Sequence, residues 1–191
     1  MTFITRKDLS QLYSQKINRK GFEAINNFLY RRKKYTFEEL EEKKHVSVYL
    51  SHADSDDELI VEIAVLLMAH GENIYVDWKD RSMPKIRNAI TAKRLKNKIL
   101  ENRKFILLVS NESVQSSWLP WELGFADPYK YIRNLAILPI ADSEGIWQGA
   151  DYLKLYPTIE KKSIDCENKP GNYHVNFGGG HQMELLKWLR E

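Results

Sequence analysis

Residues 104–110 read Lys-Phe-Ile-Leu-Leu-Val-Ser, five consecutive apolar side chains from Phe105 to Val109 held between two polar ones. Continuous rather than alternating apolarity marks a strand buried on both faces, as in a parallel sheet covered by helices. Working outward, the same signature recurs at Leu135 to Ile140 and, shorter, at Val46 to Leu50. Weaker strand runs lie at Asn73 to Asp77 and Thr158 to Ile164. Helical spacing fills the intervals. After Ser51-His52-Ala53-Asp54, Ser55 and Glu58 have the spacing of a capping box, and Leu59, Ile60, Ile63, Leu66 and Leu67 form one stripe that ends at Gly71. Pro84 suits the first turn of a second helix, which runs from about Lys85 to Leu100 and presents Ile86, Ile90, Leu95 and Ile99. A third, short helix follows Ser117 and leads to Asp127-Pro128, and His181 to Arg190 reads as a closing helix.

Strands alternating with helices require a parallel sheet with right-handed crossovers. For an α/β chain with five such strands the expectation is a flavodoxin-like parallel five-stranded sheet, order 2-1-3-4-5, flanked by helices. Residues 1–44 stand before it. Leu9, Leu12 and Ile17, then Phe22, Ile25 and Leu29, recur at helical spacing with Gly21 as a break, so an N-terminal helical extension is expected over 1–44 and the α/β domain over 45–191.

Composition narrows the class. The chain has 191 residues, 43% hydrophobic and 29% charged, enough to bury one core and keep it dissolved. Cys166 is the single cysteine, so no intrachain disulfide forms. The first ten residues lack the apolar run of a signal peptide, and no stretch approaches the roughly 20 apolar residues of a membrane span. A cytoplasmic protein without a membrane partner is the expectation. The formal charge of +3 is local: residues 1–45 hold 11 Lys and Arg against 6 Asp and Glu, the rest 18 against 20. Arg31-Arg32-Lys33-Lys34, followed by Glu38-Glu39 and Glu41-Glu42, reads as a solvated helix face, and no nucleic-acid signature accompanies it. His45, His70, His174 and His181 share no metal-ligand spacing with Cys166 or paired carboxylates, so no metal is expected.

In this architecture ligands sit beyond the carboxyl ends of the first and third strands, where the strand order reverses. The loop after Leu50 supplies Ser51, His52 and Asp54; the segment after Val109 supplies Ser110, Asn111, Ser116, Ser117, Trp118 and Glu122. The loop after strand 2 adds Asp77, Trp78, Lys79 and Asp80. Pro120 is tolerated only in a first helical turn, which starts that helix at about Ser117 or Trp118. Trp118 and Glu122 are then four apart on one face near the amino-terminal end, where the amide dipoles favour a negative charge able to steady a cationic transition state. Two other families with this sheet are excluded: strand 3 ends in Ser110-Asn111 and not in a phosphate-accepting aspartate, and no G-x-x-x-x-G-K-[ST] occurs.

Val48-Tyr49-Leu50-Ser51-His52, Asp77-Trp78-Lys79-Asp80, Ser117-Trp118 with Glu122, and Leu138-Pro139-Ile140 together resemble the Toll/interleukin-1 receptor (TIR) domain family. They match its first box, the start of its mobile loop, its W-x-x-x-E catalytic signature and its fourth strand. The resemblance runs from about Val46 to the carboxyl terminus. Ser47 departs from it where many members carry an acidic residue, and the loop after Trp78 has Pro84 without the glycine that often follows in receptor and adaptor members.

The resemblance implies NAD+ as substrate. Enzymatic members cleave the bond between nicotinamide and ribose, and bacterial ones often make cyclic or otherwise modified ADP-ribose signals in antiphage defence, as in Thoeris systems. On this reading Glu122 is the catalytic carboxylate, and Ser51, His52, Asp54, Asp77, Trp78, Ser117 and Trp118 bind the nucleotide. The loop from Trp78 to Met83 then serves as a lid. Implied partners are a second copy of the chain, met through the TIR domain and the N-terminal helices, and a downstream effector that senses the product. A non-catalytic TIR module that signals by self-assembly and a nucleoside deoxyribosyltransferase, which uses a related sheet and a catalytic glutamate, are the alternatives. Release of nicotinamide from NAD+ separates them.

Overall fold

The computed structural model describes residues 2–16, 47–68, 73–75, 88–162 and 173–191. Strand β1 (Ile4–Thr5) runs into helix α1 (Arg6–Lys16). Then come β2 (Ser47–Ser51), a 3₁₀ turn (Asp54–Asp56), α2 (Asp57–Met68) and β3 (Asn73–Tyr75). The middle of the chain forms α3 (Ala89–Glu101), β4 (Lys104–Ser110), a 3₁₀ turn (Ser113–Gln115), α4 (Trp118–Lys130) and β5 (Leu135–Ala141). Strands β6 (Thr158–Lys161), β7 (Tyr173–Gly178) and β8 (His181–Glu184) and helix α5 (Leu185–Arg190) close it. Among the described residues no helix is long and apolar enough to cross a membrane.

The strands lie in one sheet in the order β3-β2-β4-β5-β6-β7-β8, with β1 paired to β5. Its parallel part holds the five expected strands in the expected order, β3-β2-β4-β5-β6, and β1, which was not expected, pairs parallel on β5. The strand count of five is corrected to eight, and the sheet is mixed, because β6-β7 and β7-β8 pair antiparallel. The sequence carries the reason. Gly178, Gly179 and Gly180 all adopt positive φ (82°, 58° and 81°), a left-handed turn that side chains resist, so the chain reverses there and His181–Glu184 pairs back as β8. The expected closing helix is thereby shortened to Leu185–Arg190.

Two further boundaries shift. The second helix begins at Ala89 and not near Lys85, because Asn88 caps it, its Oδ1 accepting from the amides of Ile90 (2.9 Å) and Thr91 (3.0 Å). Ile90, expected on the buried stripe, is 59% exposed. Ser55 sits inside a 3₁₀ turn, closed by the Asp56 amide on the Ala53 carbonyl (2.9 Å), so α2 starts at Asp57.

The strand period divides the core. Val48, Leu50, Ile106, Leu108, Leu138 and Ile140 face α1, α2 and α5, meeting Leu9, Leu12, Ile60, Ile63, Trp188 and Leu189. Tyr49, Phe105, Leu107, Val109 and Ile137 face α3 and α4, meeting Leu95, Ile99, Leu119, Leu123 and Ala126. The residues of β4 and β5 are buried from end to end, as continuous apolarity requires. Two buried lysines fasten the periphery. Lys104 Nζ donates to Asn134 Oδ1 (2.9 Å) and lies 4.6 Å from the centre of the Trp188 ring. Lys130, whose burial pushes its pKa down to about 8, donates to the Asn102 carbonyl and ties the end of α4 to the end of α3.

The amino-terminal segment shares this core. β5 pairs with β6 at Ile137↔Thr158 and leaves its carboxyl end open, and β1 occupies it through Ile4↔Ile140 and Thr5↔Ala141. The Lys161 amide donates to the Thr2 carbonyl (2.9 Å), and Lys161 Nζ lies 2.6 Å from Asp8 Oδ1. Leu9 and Leu12 are fully buried. The apolar positions Ile17, Phe22, Ile25 and Leu29 and the run Arg31 to Lys34 lie outside the described residues.

Candidate active site

Strands β2 and β4 run side by side in parallel, Ser51 opposite Leu107, so their carboxyl ends open onto one edge. On β2 the two-residue period turns Tyr49 and Ser51 to the face covered by α4. Helix α4 begins at Trp118, with Ser117 as its N-cap and Pro120 third, as the proline requires. Its second turn then brings Glu122 down onto β2.

Glu122 is only 2% exposed. Ser51 Oγ donates to Glu122 Oε2 at 2.7 Å, and the Tyr49 hydroxyl donates to the same oxygen at 3.2 Å. Glu122 lies on the sheet side of α4, and Trp118, one turn earlier, is half-buried. A carboxylate in such a place depends on its donors, since burial without hydrogen bonds is costly. Chemically, the arrangement offers a carboxyl group held through one oxygen at the crossover point of the sheet, which in its ionised form suits a developing positive charge.

The other expected residues are distributed around it. His52 is buried and turns toward the start of α2, its Nε2 3.4 Å from Asp57 Oδ1. Asp54 is exposed in the 3₁₀ turn. Ser117 is exposed, and its side chain makes no capping bond. With Trp118 and Trp121 it borders an open groove of about 450 Å³ between the amino-terminal ends of α3 and α4, lined on the other side by Asn88, Ala89 and Ala92. The Trp118 and Trp121 rings meet edge to face at 5.1 Å. Asp77, Trp78 and the loop to Met83 lie outside the described residues.

A second polar cluster lies at the end of β4. Ser110, the last residue of β4, donates through Oγ to Asp56 Oδ1 at 2.6 Å, and its amide donates to Ser113 Oγ at 2.8 Å. Asp56 is fully buried. Trp147 Nε1 donates to the Val109 carbonyl (2.9 Å) and the Gln148 amide to Asn111 Oδ1 (2.8 Å), which folds the segment after β5 over the end of β4. Phe3 packs edge to face on Trp147, with ring centres 5.4 Å apart.

Tyr49 is not among the residues expected at the site. The signal for it is the alternation of β2, which places residues 49 and 51 on one face. Asp56 and Trp147 have no comparable signal, because their contacts join segments far apart in sequence.

The chain is 27% identical over 195 residues to a Bacillus cereus (strain MSX-D12) protein named probable 3' cyclic ADP-D-ribose synthase ThsB', and the alignment covers all of both chains. A family model described as the TIR domain matches residues 48–167, from the second residue of β2 to beyond β6. That match, over more than half of the chain and on the strands that frame Glu122, establishes that the chain belongs to the TIR domain family.

Proposed function

We propose that the protein cleaves NAD+ at the bond between nicotinamide and ribose, with Glu122 as the carboxylate that stabilises the oxocarbenium-like state. The observation that carries this reading is the Glu122 carboxylate itself, buried at the crossover edge and held by Ser51 and Tyr49. The full-length likeness to a protein named as a cyclic ADP-ribose synthase supports the same substrate. Nicotinamide leaves with the bonding electron pair and becomes neutral, so no general acid is required. The developing positive charge on the ribose is what a nearby carboxylate stabilises, as in glycoside hydrolysis.

The attacking group sets the product. Water gives ADP-ribose with release of a proton; a hydroxyl or the adenine of the same molecule gives a cyclic ADP-ribose, and exclusion of water favours the latter. The relative's name supports the cyclic product. In this reading Ser117 and Trp118 border the groove that takes part of the nucleotide, and His52, Asp54, Asp77 and Trp78 contribute to its binding. The product serves as a signal to a downstream effector in bacterial antiphage defence, and copies of the chain assemble to act.

The test is incubation of the purified protein with NAD+, with and without lysate from phage-infected cells, followed by chromatography and mass spectrometry. Free nicotinamide is expected, with a nucleotide product lighter than ADP-ribose by one water if it is cyclic. Light scattering during turnover checks assembly. Intact NAD+ under both conditions overturns the reading in favour of a non-catalytic signalling module.

A further inference from the structure

Tyr49 is buried to 1% exposure, and its ring stacks on Phe105 with centres 5.6 Å apart and planes 5° from parallel. The strand core at this position needs only an aromatic ring. The hydroxyl is an addition, and it lies 3.2 Å from Glu122 Oε2, the oxygen that also accepts from Ser51 Oγ at 2.7 Å. The last torsion of a glutamate is broad and poorly fixed by sterics alone. Two hydroxyls converging on one carboxylate oxygen from a rigid strand fix it.

We propose that Tyr49 is a positioning residue: its hydroxyl, acting with Ser51, sets the plane of the Glu122 carboxylate so that the charge meets the reacting ribose in the right orientation. The inference rests on the NAD+-cleaving reading above. A group preorganised for a transition state loses its effect when its orientation is lost, even if substrate binding is intact. Tyr49 therefore acts through Glu122 and on turnover, not on affinity.

Tyr49→Phe tests this, because it keeps the stack on Phe105 and removes only the hydroxyl. The expected result is a roughly ten-fold fall in kcat for nicotinamide release, the kinetic equivalent of one charge-assisted hydrogen bond, with KM for NAD+ within about two-fold of the parent. In a Glu122→Gln background the same change should alter the residual rate by no more than about two-fold, since the orientation no longer matters. Ser51→Ala, which removes the second donor to the same oxygen, should likewise lower kcat in the parent and leave the residual rate of Glu122→Gln within about two-fold, and it serves as the test should Tyr49→Phe fail to fold. Parental kcat in Tyr49→Phe overturns the inference. So does a ten-fold loss that persists in the Glu122→Gln background, which marks a packing effect. A parent that releases no nicotinamide instead removes the underlying reading and this inference with it.

Discussion

At the scale of single residues, burial changes what Glu122 is expected to contribute. A buried carboxylate with two hydroxyl donors is kept at some cost in stability, and a neutral amide of the same shape can accept from the same hydroxyls. Glu122→Gln should therefore lower nicotinamide release on the order of a hundred-fold or more, while its melting temperature equals or exceeds that of the parent. A variant that loses rate only because it unfolds would show the opposite in thermal denaturation. Ser110 is the contrasting case. Its hydroxyl satisfies Asp56, which is fully buried, so Ser110→Ala leaves a buried carboxylate oxygen without that donor and should cost about 1.5–3 kcal/mol in chemical denaturation. The two substitutions separate a residue kept for chemistry from one kept for structure.

At the scale of elements, β1 and α1 illustrate how a segment outside the family match becomes part of the fold. Leu9 and Leu12 are buried with Ile60 and Ile63 of α2, and each leucine contributes about 1.5–3 kcal/mol by removal from water. A chain beginning near Glu42 should lose β1, expose that face of α2 and the end of β5, and melt well below the full-length protein. Leu12→Ala, a single cavity at the same place, should cost about 2–5 kcal/mol by denaturant titration. If the shortened chain melts at the parental temperature, the segment adds nothing to the core. Helix α4 shows the reverse relation, since Pro120 fixes its start from within and the register of Glu122 follows from that start.

At the scale of the molecule, stability should depend on acid in two stages. Burial lowers the pKa of His174, and the opposing attraction of Glu160 does not restore it. A histidine with a depressed folded pKa contributes fully above its ordinary value of 6.5, and that contribution is lost as the pH falls below it, because the unfolded chain takes up the proton first. Asp8 acts lower. Burial raises its pKa, but the hydrogen bonds from Lys161 and Thr5 and the Lys161 charge outweigh this and leave it below the ordinary 3.8. Its contribution is present above that value and disappears as the pH falls through the lowered one. The melting temperature should decline from about pH 6.5 downward and fall again below about pH 4. His174→Gln should flatten the first decline and Asp8→Asn the second; an unchanged profile in either variant removes that group from the account.

The sequence by itself determined the parallel part of the sheet and the start of α4. Phe105 to Val109 and Leu135 to Ile140 are apolar on every residue, which only a doubly covered strand tolerates, and Pro120 suits the first turn of a helix; Pro128, where the helix was expected to end, lies inside α4, which continues to Lys130. The order expected from the alternation of strands with helices is the one observed for those five strands, and the register of Glu122 in α4 follows from the start at Trp118. The hairpin was missed, His181 to Arg190 being read as one helix, although Tyr173, Val175 and Phe177 alternate before three glycines. Tertiary structure alone decided the rest. Whether a carboxylate on α4 faces water or the sheet depends on how the helix rolls on β2, and the apolar side chains Leu119, Leu123 and Ala126 set that roll. The hydroxyls that hold Glu122 lie more than seventy positions away in the chain, and Asp56 meets Ser110 across fifty-four. Hydrogen bonds between such distant residues leave no periodic trace in a sequence, because they arise only when burial has brought the strands and helices together.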